Sequence, residues 1–68
     1  MSQLADLRIR ANLTQEKVAS ELSIDRSTVA KWETGIASPK VGKLAPLSVL
    51  YGCSIDELYR SIESTKAV

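Results

Sequence analysis

The residues best suited to chemistry lie between Thr14 and Gly35, in the stretch TQEKVASELSIDRSTVAKWETG. At 100° per residue, a helix over 26–34 puts Ser27, Ala30, Lys31 and Thr34 on one side and Val29 and Trp32 on the other, with Arg26 and Thr28 at the flanks. Short hydroxyls and one or two cations suit a helix laid in the major groove, where base edges are close and rich in acceptors, and Ala30 lets the backbone approach. Any solvated helix also shows a polar face, so the pattern alone leaves an ordinary surface helix as the alternative.

Little else in the chain could do chemistry. There is no His, one Cys, no glycine-rich phosphate loop and no pair of ligands at metal spacing, so neither an enzyme nor a cofactor or metal site is expected. Asp56 and Glu57 are adjacent and face different directions on a helix, where they serve as first-turn acids that complement the dipole.

Helical spacing then supplies the elements that hold this stretch. Residues 2–11 form a first helix with Leu4, Leu7 and Ala11 on one stripe and Ser2 as N-cap. Asn12 follows in a position suited to the left-handed conformation, and Leu13 folds back. Thr14 caps a second helix through Leu22, with Val18, Ala19 and Leu22 inward. Ser23-Ile24-Asp25 connects to the third helix, for which Asp25 is the N-cap, and Gly35 ends that helix before the loop 36–39. A fourth helix over 41–51 turns Leu44, Leu47, Ser48 and Tyr51 inward. Pro46 inside it removes a donor and predicts a kink or a late start. Ser54 and Glu57 form a capping box in type, opening a fifth helix to about Ile62 with Ile55, Leu58 and Ile62 inward. Residues 1–63 are thus one all-α domain with its helix-turn-helix at 14–34, and 64–68 are a frayed tail.

Composition sets bounds on this reading. A chain of 68 residues buries only about 60% of the surface its unfolded form exposes, which leaves no room for a deep pocket or a second, ligand-sensing domain. Cys53 cannot form an internal disulfide and is expected in the core, and no signal or membrane-spanning run appears, so a soluble cytoplasmic protein is expected. The formal net charge is only +1, with residues 1–45 at +2 and residues 46–68 at −1. That permits contact with phosphates without announcing it.

The order LxxLR (Leu4, Leu7, Arg8), LTQ (13–15), VA (18–19), LSID (22–25), STVAKWETG (27–35), SP (38–39) and LxxL…YGCSIDEL (44–58) resembles the Cro/phage-repressor type of helix-turn-helix domain, the xenobiotic-response-element family. The likeness covers residues 4–62. It implies a compact five-helix bundle like the lambda-repressor domain and a DNA-binding transcriptional regulator, a repressor by preference. Base-facing roles then fall on Arg26, Ser27 and Lys31, with Thr28 beside them. Contacts to phosphates fall on Thr14, Gln15, Thr34, Lys40 and Lys43. The likeness also implies a structural ion pair between Arg8 and Glu33.

Three positions depart from the family pattern. Ser23 stands at the usual turn glycine, Lys40 at the usual Ser/Thr cap of the fourth helix, and Pro46 at an exposed helical position. A domain of this size reads few base pairs, so a homodimer on a pseudo-palindromic double-stranded operator is expected, its half-sites roughly 34 Å apart. Val49, Leu50, Tyr59 and the end of the fifth helix are the interface candidates. No membrane and no small-molecule ligand is expected. The competing reading is an adaptor or antitoxin-like module that uses the same fold to bind a protein.

Overall fold

Hydroxyl side chains open three of the helices. Ser2 Oγ accepts from the Ala5 amide at 3.1 Å and starts α1 (Gln3–Arg10). Thr14 Oγ1 accepts from the Lys17 amide at 3.0 Å and starts α2 (Gln15–Leu22). Ser54 Oγ accepts from the Glu57 amide at 3.0 Å and starts α5 (Ile55–Thr65). Between them lie α3 (Arg26–Thr34) and α4 (Val41–Tyr51). The computed structural model describes residues 2–66, and among these there are five helices and no strand.

Helices of 8–11 residues fall below the length of about 12–15 at which a helix persists alone in water, so tertiary packing must hold them. Leu4, Leu7, Val18, Ala19, Val29, Trp32, Leu47, Tyr51, Leu58 and Ile62 make one buried cluster. Leu13, Leu22, Ile24, Leu44, Leu50 and Cys53 close its rim. The most extensive pairings are α1 on α5 and α2 on α3, and α5 also touches α4 and α3. Burial of one such Leu or Val side chain contributes about 1.5–3 kcal/mol, against about 1 kcal/mol for a typical cap.

The connections turn where the backbone can go left-handed. Asn12 has φ 64° and Ser23 φ 56°, beside Gly35 at φ 79° and Gly52 at φ 65°. For Ser23 this carries a steric cost that glycine avoids, of about 1 kcal/mol. The turn closes on backbone bonds all the same: the Ile24 amide donates to the Ala19 carbonyl at 2.9 Å.

Several expectations need correction. Asp25 stands at the N-cap of α3 without a side-chain cap bond; it is exposed, so its carboxylate is open to solvent and does not need the cap. Ala11 is only half-buried, while Ala5 joins Leu4 and Leu7 in the α1 interface. Ile55 is 51% exposed, because α5 is covered only from Leu58 onward, through Ser61 and Ile62. In the capping box, Glu57 does not reach back to Ser54; its Oε2 accepts from Arg10 Nη1 at 3.2 Å.

Residues 64 and 65, expected in the tail, are helical. Thr65 Oγ1 donates to the Ser61 carbonyl at 2.7 Å and accepts from the Leu4 amide at 3.2 Å, which ties the end of α5 to the start of α1. Residues 67 and 68 lie outside the described residues. Pro46 causes no late start: α4 runs unbroken from Val41. Both Pro46 and Gly42 are exposed, so water can donate to the Gly42 carbonyl that loses its helical partner.

Candidate nucleic-acid interface

The back of α3 is fixed first. Val29 and Trp32 are buried, so α3 cannot roll without opening the core. On the opposite side Arg26, Ser27, Lys31 and Thr34 are exposed and Ala30 is half-buried. The polar strip that the spacing predicts is therefore presented to solvent by a helix bolted from behind. Thr34 Oγ1 donates to the Lys31 carbonyl at 3.2 Å, leaving its oxygen lone pairs outward.

Thr28 is placed differently from its neighbours. It is half-buried and lines a groove with Ile24, Trp32, Ala37, Ser38, Lys40 and Lys43. Gly35 makes this possible by ending α3 in the left-handed region, where the Ile36 and Ala37 amides both donate to the Lys31 carbonyl. The chain doubles back, and the lysines at the start of α4 return beside the first turn of α3. The fold thus brings Thr28, Lys40 and Lys43 together along one flank of α3. Lys40 caps α4 by backbone alone, with no side-chain cap bond.

Arg8 and Glu33 meet beneath this surface. Arg8 Nε donates to Glu33 Oε2 at 2.6 Å and Nη2 donates to Oε1 at 3.2 Å, while Nη1 donates to the Leu13 carbonyl at 2.8 Å. Their side chains are 13% and 7% exposed. One guanidinium therefore joins the end of α1, the α1–α2 connection and the end of α3. A carboxylate in the last turn of a helix opposes the helix dipole by about 0.3–1 kcal/mol, but the two-point charged contact outweighs that. The hydrogen bond that Arg8 donates to the Glu33 carboxylate raises the Arg8 pKa, against the opposing pull of desolvation. Tyr51 lies in the same field: burial pushes its phenol well up, the Glu33 carboxylate adds to the shift, and Arg8 opposes it.

Gln15 occupies a place that spacing did not reveal. Its Nε2 donates to Glu33 Oε1 at 2.9 Å, and its Oε1 accepts from Arg26 Nη1 at 3.3 Å. The amide is half-buried and bridges the ion pair to the first residue of α3. Thr14 is exposed beside it, its oxygen accepting from the Lys17 amide and its own hydrogen left over. A Gln at the first position of α2 signals only that α2's start is polar. Its partners depend on how α2 and α3 cross, and no local pattern carries that.

The interface candidates divide. Val49, 81% exposed, and half-buried Leu50 line a shallow apolar groove with Glu21, Leu22 and Pro46. Tyr59, 53% exposed, is not among the groove's lining residues. Cys53 is half-buried against the core, and burial pushes its thiol pKa up, so the thiolate is disfavoured. Among the described residues no group of three or more His, Cys, Asp or Glu is placed to hold a metal ion, and no helix is long and apolar enough to cross a membrane.

Comparison with known proteins follows the same geometry. The Helix-turn-helix family description matches residues 4–58, from Leu4 of α1 to Leu58 of α5. The chain is 40% identical over 55 residues to the HTH-type transcriptional activator BcrR of Enterococcus faecalis, a match covering 81% of this chain and 27% of that protein. It is 35% identical over 63 residues to the cryptic phage CTXphi transcriptional repressor RstR of Vibrio cholerae, covering 93% of this chain and 57% of that protein. The chain therefore spans less than two thirds of the length of either relative. No solved structure matches.

Proposed function

The chain belongs to the helix-turn-helix family, and on that footing we propose that it is a sequence-specific DNA-binding transcriptional regulator, acting as a repressor in the cytoplasm. In this reading α3 lies in the major groove, with Arg26, Ser27 and Lys31 toward base edges and Thr28 beside them. Thr14, Gln15, Thr34, Lys40 and Lys43 contact phosphates on the two flanks, the amide of Gln15 using the hydrogen that Glu33 does not take. The observation that carries the reading is the exposed strip Arg26, Ser27, Lys31 on a helix whose opposite face, Val29 and Trp32, is buried. RstR, a repressor, matches over 93% of this chain, which supports the repressor reading.

No catalytic step and no cofactor enters this reading. A homodimer on a pseudo-palindromic operator completes it, since one α3 reads few base pairs, and the Val49–Leu50 groove is the candidate contact between copies. A protein-binding adaptor would place apolar or acidic residues on the outer face of α3, where this chain has Arg26, Ser27 and Lys31.

Two alanine variants test the division of roles. Lys31→Ala is expected to weaken binding to a selected site by about 1–3 kcal/mol and relax base preference there, with melting unchanged. Lys43→Ala is expected to weaken binding evenly across sequences and reduce the magnitude of the salt slope by about 1. Mobility-shift titrations read both. Full-strength, equally selective binding by Lys31→Ala contradicts the placement of α3.

A further inference from the structure

We propose that the groove along the flank of α3 is a site for a small organic anion, an apolar monocarboxylate, and that this ligand competes with operator DNA. The competition rests on the DNA-binding reading above; the site does not. Two surface grooves of similar size divide by charge. The groove of Pro46, Val49 and Leu50, of about 320 Å³, has Glu21 as its charged lining residue. The groove beside α3, of about 260 Å³, joins an apolar wall of Ile24, Trp32 and Ala37 to two cations, Lys40 and Lys43. Of the two, only the second matches an anion with an apolar body.

The polar groups of this groove are unspent. Among the described residues neither Lys40 nor Lys43 enters an ion pair, whereas Lys17 and Lys66 each find a carboxylate within four residues. Lys40 is exposed and Lys43 half-buried, which suits lysines whose methylene stems extend an apolar wall while the ammonium groups stay in water. Trp32 adds a donor. Its indole N–H makes no hydrogen bond among the described residues, yet no side-chain nitrogen there is buried without a partner, so this N–H reaches solvent. It does so although the side chain is only 6% exposed. Indole and ammonium groups donate and never accept, so the ligand they suit carries an acceptor and a negative charge. A carboxylate supplies both.

Size limits the rest of the ligand. Pockets that enclose drug-sized molecules hold about 300–1,000 Å³, so this groove takes about one ring or a short chain, with an affinity of about millimolar. The expectation of no small-molecule ligand rests on the lack of a deep pocket in so short a chain, which an open groove does not require. Lys40 and Lys43 are also the lysines assigned to phosphates, and Thr28 borders both the groove and the base-facing strip. A carboxylate on those lysines therefore takes charge that the operator needs, and by reciprocity bound operator expels the ligand.

Trp32 is the only tryptophan in the chain, so its fluorescence reads the groove directly. Titrating the purified chain with phenylacetate is expected to change the Trp32 emission saturably, and to move the amide NMR signals of Ala37 and Lys43 while those of Val49 and Leu50 stay in place. Phenylacetamide, which lacks the charge, and acetate, which lacks the ring, are each expected to bind about tenfold more weakly or worse. Replacing both lysines, Lys40→Gln with Lys43→Gln, is expected to erase the difference between phenylacetate and phenylacetamide. On a selected operator, phenylacetate at about ten times its Kd is expected to weaken binding about tenfold relative to acetate at the same concentration.

No saturable change in Trp32 emission, equal binding of phenylacetate and phenylacetamide, or signals that move at Val49 and Leu50 instead would each overturn the site. Unchanged operator affinity at saturating phenylacetate overturns the competition. A chain that enriches no DNA sequence removes the DNA-binding reading and the competition with it, while the fluorescence and amide signals still decide whether the groove binds.

Discussion

Arg8→Ala is expected to destabilise the fold by about 3–5 kcal/mol and lower the melting temperature by at least about 12 °C. The cause is what the substitution leaves behind. Glu33 would remain buried in the last turn of α3 with only the Gln15 amide as partner, and the Leu13 carbonyl would lose its donor. Domains of this size have about 3–10 kcal/mol in total, so the loss approaches global unfolding. Replacing both charges, as Arg8→Met with Glu33→Leu, is expected to recover much of the stability, since no uncompensated charge then stays buried. Thermal denaturation followed by circular dichroism reads both variants. Melting of Arg8→Ala at the original temperature would show that the pair does not hold α1 to α3.

The second large effect is expected at Trp32. The side chain is 6% exposed in the same cluster as Val29, Leu47 and Leu58. Trp32→Ala is expected to cost about 3–5 kcal/mol through lost burial and the cavity it leaves. DNA affinity should fall in step with the folded fraction and return toward normal at low temperature, where more of the chain is folded. A tryptophan that stacked on bases would behave in the opposite way, with weaker DNA binding and unchanged melting. Those two curves separate a bolt from a contact.

Much of the fold is legible from local chemistry because local chemistry decides it. Ser2, Thr14 and Ser54 open helices since each oxygen needs only an amide two or three residues away. Gly35 and Gly52 end helices, and Asn12 turns between them, because few residue types accept positive φ. The stripes Val18–Ala19 and Val29–Trp32 follow from helical spacing alone. Ser23 is the exception that packing overrides: the αα turn demands a left-handed residue there, and the neighbouring helices hold a serine in it.

What escaped the sequence depends on how the helices meet. Ile55 has the right angle on α5 to be buried, yet how far cover extends along a helix is a tertiary fact. Thr65 gives no sign that it will receive the Leu4 amide from the other end of the chain. Asp25 has the type of a cap, but an exposed carboxylate can be satisfied by water as well as by α3. Gln15 and Arg26 are eleven positions apart and lie on different helices, and their hydrogen bond exists only because α2 and α3 cross at this point. The outer face of α3 was legible as polar; which of its members is held and which is free was not.

The most direct test of the central proposal is a mobility-shift titration of the purified chain on its best selected double-stranded site over a range of salt concentrations. The account predicts a sequence-specific complex whose association constant falls with salt on a log-log plot, by about 0.9 in slope for each phosphate neutralised. No complex at low salt on any enriched sequence would contradict it.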